Sequence, residues 1–129
     1  MPAASDLKVL IVDDQQTIRS LVRNGLREIG VHTLEEAVDG EDALSALLSK
    51  KINLIISDYN MPKLDGLALL RAVRMTPQMQ GTAFIMLTGR ADGDLVARAR
   101  QFGVNNYLIK PFTVATLREK IEQVFGALT

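Results

Sequence analysis

The first apolar run of the sequence ends on two acids: VLIVDD, residues 9–14. Four consecutive aliphatic residues, two of them valines, are typical of a short strand that is buried on both faces. Three further runs have the same character, at residues 54–56, 84–87 and 107–109. Strands buried on both faces occur in parallel sheets, so these runs predict a parallel sheet.

The segments between these runs have the spacing of amphipathic helices. Helices are expected over residues 18–29, 41–49, 65–74, 94–102 and 114–125. Gly30 suits the left-handed end of the first helix, and Thr113 can cap the last one. A weaker strand, residues 33–37, contains acidic residues and is best placed at a sheet edge. Five strands that alternate with five helices predict an α/β doubly wound parallel sheet.

Length and composition limit the classes of protein that the chain can represent. The 129 residues are 47% hydrophobic and carry 15 basic and 15 acidic side chains. We expect one domain over residues 1–129, ordered from about 6 to 127, without an output domain. The absence of cysteine excludes disulfides and thiolate catalysis, and the balanced charge argues against a nucleic-acid binder with a broad basic surface.

The sequence gives no sign of export or of membrane insertion. Its first residues lack a basic region followed by a long apolar stretch, and no apolar run approaches the ~20 residues of a membrane span. We therefore expect a cytoplasmic protein.

Polar side chains stand at the ends of the four strong strands. Asp13 and Asp14 follow the first run, Asp58 closes the second, Thr88 follows the third and Lys110 follows the fourth. The carboxyl ends of parallel strands lie along one edge of the sheet, where ligands bind in open α/β folds. The sequence therefore predicts that three carboxylates, a hydroxyl and an ammonium group converge there.

Such a group of side chains favours phosphoryl chemistry. Close carboxylates repel one another, and Mg²⁺ is the cation that one or two carboxylates and phosphate oxygens commonly bind. A lysine and a hydroxyl beside the cation suit the oxygens of a phosphoryl group. A carboxylate can accept that group covalently, and Asp58 on the central strand is our candidate phosphoacceptor.

Several motifs together resemble a known family. They are Asp13-Asp14, residues 36–44, residues 57–66 (SDYNMPKLDG), Thr88 and residues 107–112 (YLIKPF). The chain resembles the receiver domains of two-component response regulators, over nearly its whole length, and within them the chemotaxis group. The resemblance implies a flavodoxin-like sheet with strand order 2-1-3-4-5.

The resemblance also implies roles for the acidic residues. Asp58 would be the phosphoacceptor. Asp14, Asp58 and the backbone carbonyl of Asn60 would ligate Mg²⁺ directly, and Asp13 would act largely through water.

Other roles concern the switch. Thr88 would hydrogen-bond the phosphoryl group and Lys110 would pair with it, while the Lys110–Pro111 peptide bond would be cis. Tyr107 would turn inward when Thr88 moves toward the phosphoryl group, which would alter a face built from residues 92–126.

The implied function is that of a phosphorylation switch and not of an ordinary enzyme. A histidine kinase of a chemotaxis system would phosphorylate the protein, which we expect to be a monomer. Its output partner would be a flagellar motor switch protein or another protein bound by the switch face. Alternatives are a phosphate sink or relay receiver, a Mg²⁺-dependent phosphohydrolase, and a flavin-binding protein of the same fold.

Some residues have less specific interpretations. Asn60 and Arg90 are expected to modulate the lifetime of the phosphate, because both positions lie near the phosphoryl group. Arg90, Arg98 and Arg100 form a small basic cluster that we interpret as a solvated face, with an acidic partner or a cyclic dinucleotide as the alternative. Asp39 and Asp65 are expected to begin helices and not to join the acidic site.

Overall fold

The computed structural model describes residues 2–89 and 93–129. Within them five strands alternate with five α-helices, after a short 3₁₀ turn at Ala4–Asp6. The strands are β1 (Lys8–Val12), β2 (Thr33–Ala37), β3 (Leu54–Asp58), β4 (Ala83–Thr88) and β5 (Asn106–Ile109). The helices are α1 (Gln16–Ile29), α2 (Gly40–Ser49), α3 (Gly66–Met75), α4 (Gly93–Gln101) and α5 (Val114–Phe125). The predicted elements are all present, with ends that differ by one or two residues.

The sheet is parallel throughout and has the order β2-β1-β3-β4-β5. This confirms the predicted fold class and strand order. The register places Val12 beside Ser57, and Asp58 beside Leu87. The carboxyl ends of β1, β3, β4 and β5 consequently form one rim, which we call the carboxyl rim.

Each face of the sheet is covered by helices. One core joins Ile11 and Ile56 to α1 and α5, and the other joins Leu10 and Ile55 to α2, α3 and α4. Every residue of β3 and β4 is buried, which explains their nearly unbroken apolar sequence. Only Ala37 is buried in β2, as expected for an edge strand.

The helix ends follow the predicted capping chemistry. Gly30 adopts a left-handed conformation with φ of 110° at the end of α1. Asp39, Asp65 and Thr113 each accept a hydrogen bond from the backbone N–H three residues later, at 2.8–3.0 Å. The two aspartates therefore cap α2 and α3, as the sequence predicts.

Arg74 in the last turn of α3 links three segments of the chain. Its guanidinium donates to the backbone oxygens of Gln80, Thr82 and Gly103 and to Oδ1 of Asn105, at 2.6–3.0 Å. Burial lowers the pKa of this guanidinium. Arg74 thus ties the end of α3 to the start of β4 and to the α4–β5 connection.

Two further predictions concern the backbone and the membrane. The Lys110–Pro111 peptide bond is cis, as the resemblance implies. Across residues 2–89 and 93–129, no helix is both long enough and apolar enough to cross a membrane.

Candidate functional site

Asp13 follows β1 directly and is fully buried. Its N–H donates to the backbone oxygen of Ala37 at 3.1 Å, and its Oδ1 accepts from the N–H of Gln15 at 2.8 Å. Its Oδ2 is buried without a hydrogen-bond partner. A buried carboxylate oxygen without a hydrogen bond is able to serve as a ligand for a cation.

Asp58 and Lys110 form an ion pair at the carboxyl rim. The Lys110 Nζ lies 2.9 Å from Oδ1 of Asp58 and 3.7 Å from Oδ2 of Asp13. Asp58 is only 7% exposed at the end of the central strand, so the pair is largely shielded from water. The lysine after β5 therefore reaches across β4 to the acids that follow β1 and close β3.

The three acids meet as predicted. Carboxylate oxygens of Asp13, Asp14 and Asp58 lie within 4.8 Å of one another. Burial raises the pKa of Asp13, and the charges of Asp58 and Asp14 raise it further, against the opposing effects of the Gln15 N–H and Lys110. Among the described residues, the Lys110 ammonium alone pairs with this cluster and does not balance three carboxylates. An all-oxygen donor set suits a hard divalent cation. The cluster could hold a metal ion.

A cleft of about 430 Å³ opens beside this cluster. Its lining includes the end of β4, the start of the β3–α3 loop and one side of α4: Tyr59, Asn60, Thr88, Gly89, Asp94, Leu95 and Arg98. Thr88 is 6% exposed and Asn60 is exposed. The cleft therefore gives a second molecule access to the neighbourhood of Asp58. The interpretation of Arg90 falls outside the described residues.

Tyr107 is half-buried on β5 and contacts two helices. Its hydroxyl accepts a hydrogen bond from Nη2 of Arg100 in α4 at 3.3 Å, and Nζ of Lys120 in α5 lies 5.8 Å from the ring centroid. Arg98 lines the cleft instead, so the two arginines reach different sides of α4. The solvated-face interpretation is therefore incomplete, because Arg100 has a specific partner.

The sequence analysis missed Arg19. Its Nη1 donates to the backbone oxygen of Asp13 at 2.7 Å, and its Nε donates to Oε1 of Glu36 at 3.0 Å. Oε2 of Glu36 accepts from Nη1 of Arg23 at 2.8 Å. The available signal was the position of Arg19 early in the helix that follows the acidic pair, where a long side chain can reach back to the rim.

Fold and rim together define a flavodoxin-like α/β domain with a metal-capable acidic pocket. Residues 9–122 match the family model described as the response regulator receiver domain, and the chain belongs to this family. It is accordingly a response regulator, a signalling protein that phosphorylation activates.

Named relatives share this similarity over nearly their whole length. The chain is 47% identical over 128 residues to a probable chemotaxis protein CheY of Rhizobium etli, covering 99% of each chain. It is 43% identical over 119 residues to the chemotaxis protein CheY of Pseudomonas aeruginosa, covering 92% of this chain and 96% of that one. The structure of chemotaxis protein CheY4 of Vibrio cholerae superposes with a TM-score of 0.86 at 36% identity, covering 92% of this chain and 98% of that one.

Proposed function

We propose that the chain accepts a phosphoryl group from a histidine kinase on Asp58, in a Mg²⁺-dependent reaction, and signals by protein contact in chemotaxis. The observation that carries the proposal is the Asp58 carboxylate, 2.9 Å from the Lys110 ammonium and beside Asp13 and Asp14. A carboxylate next to a cation, on a shielded rim with an adjoining cleft, suits covalent phosphoryl transfer.

Asp58 suits the role of phosphoacceptor better than its two neighbours. Asp13 is fully buried, and one of its oxygens already binds the Gln15 N–H. Asp14 is exposed and is absent from the lining of the cleft, whereas the lining residues Tyr59 and Asn60 follow Asp58 directly. In the transfer, an Asp58 oxygen forms a bond to phosphorus as the phosphorus–nitrogen bond of the kinase phosphohistidine breaks, and the imidazole leaves.

Asp13, Asp14, Asp58 and the backbone carbonyl of Asn60 would hold Mg²⁺. The unpartnered Oδ2 of Asp13 and the all-oxygen donor set fit such an ion. When bound, the ion supplies positive charge for the phosphoryl oxygens. The Lys110 ammonium is a second positive charge beside Asp58 and would pair with the transferred phosphoryl group.

The switch would follow from the charge gained at Asp58. A phosphoryl group brings about one and a half to two negative charges and three acceptor oxygens. Thr88 at the end of β4 would donate its hydroxyl to one of them, and Tyr107 on the neighbouring strand would then turn inward. The altered face, residues 92–126, would select the output partner.

The test compares modification of the wild type with modification of Asp58→Asn. Each protein is mixed with Mg²⁺ and a small phosphodonor, and its intact mass is measured. We expect the wild type to gain one group and Asp58→Asn to gain none. Asp65→Asn is the matched control, because that aspartate caps α3 and should leave modification intact. Modification that persists in Asp58→Asn would overturn the assignment.

The output partner is tested separately. Because the Rhizobium etli and Pseudomonas aeruginosa relatives are named as chemotaxis proteins, we propose a chemotaxis kinase and a flagellar motor switch protein as partners. Beryllofluoride-loaded protein should bind the switch component more tightly than the unmodified protein does. Equal binding would favour a phosphate sink, and turnover of small phosphoesters would favour a phosphohydrolase.

A further inference from the structure

Asp13 has used nearly all of its hydrogen-bonding groups. Its N–H donates to Ala37, its Oδ1 accepts from Gln15, and its backbone oxygen accepts from Nη1 of Arg19 at 2.7 Å. The remaining oxygen, Oδ2, has no hydrogen bond and lies 3.7 Å from the Lys110 ammonium. The carboxylate is therefore fixed in direction, with one oxygen left for a ligand.

Arg19 is itself held in place. Its Nε donates to Oε1 of Glu36, whose Oε2 accepts from Arg23, and the Arg19 side chain is only 13% exposed. A guanidinium is planar, so contacts to two different oxygens fix both its position and its plane. Burial opposes ionisation of Glu36, but the hydrogen bonds and charges of Arg23 and Arg19 outweigh it and lower the pKa of Glu36. Glu36 stays charged and keeps Arg19 anchored to β2.

The hydrogen bond from Arg19 to the backbone oxygen of Asp13 affects both Asp13 and Asp14. The accepting oxygen belongs to the peptide group that joins Asp13 to Asp14. A hydrogen bond from a charged donor to this oxygen is stronger than one from a neutral donor, and it restrains the plane of the peptide. Because this peptide plane is restrained, the directions in which the side chains of Asp13 and Asp14 leave the backbone are restrained as well.

We propose that Arg19 is a positioning residue for the cation pocket. It orients the Asp13–Asp14 peptide so that both carboxylates lie close to Asp58. Glu36 on β2 holds Arg19 in the position that this requires. The inference rests on the proposed Mg²⁺ site and deepens it. Arg19 need not touch the ion.

Charge and positioning predict opposite effects when Arg19 is replaced. A positive charge near the pocket repels a cation, so its loss alone would tighten Mg²⁺ binding. Loss of a positioning contact would weaken Mg²⁺ binding, as changes behind metal ligands commonly do by about tenfold or more. The sign of the change therefore separates the two explanations.

The test compares Arg19→Gln with Arg23→Gln. Both changes remove one positive charge and one partner of Glu36, but only Arg19 binds Asp13. Mg²⁺ affinity is measured by titration calorimetry on folded protein. We expect Arg19→Gln to weaken it about tenfold and Arg23→Gln to leave it unchanged or slightly tighter. The backbone amide nitrogen resonance of Asp14 in the metal-free protein should move in Arg19→Gln alone, because that nitrogen shares the peptide with the accepting oxygen.

Wild-type affinity in Arg19→Gln, or an equal loss in both variants, would overturn the proposal. If Arg19→Gln does not fold, Arg19→Lys takes its place, since it keeps the charge and loses the planar two-point contact. Weaker binding in Arg19→Lys supports the proposal, and unchanged binding refutes it. Failure of the wild type to bind Mg²⁺ would instead refute the proposed cofactor, and this inference with it.

Discussion

At the scale of single residues, the acidic rim is held together at an electrostatic cost. One ammonium, that of Lys110, lies among three carboxylates, and one oxygen of Asp13 has no hydrogen bond. Folding therefore brings together charges that repel one another. Binding sites commonly retain such arrangements because a ligand relieves them.

Asp13→Asn should stabilise the metal-free protein at neutral pH. The pKa of Asp13 is raised on folding, so between its ordinary value of 3.8 and the raised value the folded state holds more protons than the unfolded state. The contribution of Asp13 to the free energy of unfolding therefore falls as the pH rises through that window. The side chain introduced by Asp13→Asn does not ionise, so the variant avoids this fall. Urea unfolding at several pH values without metal measures the effect.

Mg²⁺ provides the control for that experiment. A ligand that binds only the folded state stabilises it by mass action, so Mg²⁺ should raise the stability of the wild type more than that of Asp13→Asn. The explanation fails if metal-free Asp13→Asn is less stable than the wild type at pH 7.

Lys63→Gly should raise stability by about 0.5–1 kcal/mol. Lys63 has a φ of 66°, a left-handed conformation that costs side chains with a Cβ and that glycine adopts freely. The ion pair of Lys63 with Asp39 spans 3.7 Å, and the Lys63 side chain is 62% exposed. Removing this ion pair should therefore cost little stability. Thermal and urea unfolding measure the change. Lys63→Ala, which keeps the strained conformation, should show no gain, and an equal gain there would refute the explanation.

At the scale of elements, arginines fix how helices meet the sheet. Arg74 holds the end of α3 against two loops, and Arg100 links α4 to Tyr107 on β5. The Arg74 contacts include a partly buried hydrogen bond to the backbone oxygen of Thr82, whereas the hydrogen bond of Arg100 to Tyr107 is exposed. We therefore expect stability to depend on Arg74 and the switch to depend on Arg100.

Arg74→Met should lower the free energy of unfolding by about 2–4 kcal/mol, because backbone oxygens lose a charged donor. Arg71→Met on the same helix is the control. Arg71 is exposed and lies over the Phe102 ring at 5.6 Å, so its loss should cost less than about 1 kcal/mol. Urea unfolding of both variants measures the difference, and equal losses would contradict the role given to Arg74.

Arg100→Ala should shift the position of Tyr107 without phosphorylation. Loss of the donor at 3.3 Å frees the hydroxyl, so the ring can leave its place between α4 and α5. With only two tyrosines in the chain, ring resonances can be assigned by substitution. They should move toward the positions seen with beryllofluoride, and those of Arg98→Ala should not. Identical spectra for Arg100→Ala and the wild type would refute this role.

At the scale of the whole molecule, the two edges of the sheet differ in kind. At the amino edge, Asn53 binds both Lys8 and Ala83 through its backbone, and its Oδ1 also accepts from the Lys8 N–H. The carboxyl rim instead carries the ion pair of Lys110 with Asp58, the three clustered carboxylates and the cleft beside them. One edge therefore secures the strands while the other is available for chemistry.

Most of the fold could be predicted because β3 and β4 are buried on both faces, and such strands have a distinctive sequence. The meeting of Asp13 with Asp58 could be predicted for a similar reason, since parallel strands end at one edge. The contact of Arg19 with Asp13 and the four contacts of Arg74 could not. They depend on where a helix crosses the sheet and how far a long side chain then reaches, which periodicity does not specify.

The tie between Glu36 and Arg19 gives the edge strand β2 an unusual connection. Edge strands normally open early, and their amide protons then exchange rapidly with solvent. Here β2 is clamped through α1 to the same peptide that would support the metal pocket. Loading that pocket with Mg²⁺ should slow amide exchange in β2 of the wild type, and Arg19→Gln should abolish the slowing. The rate of local opening of β2 would then depend on whether the acidic pocket at the carboxyl rim holds its ligand.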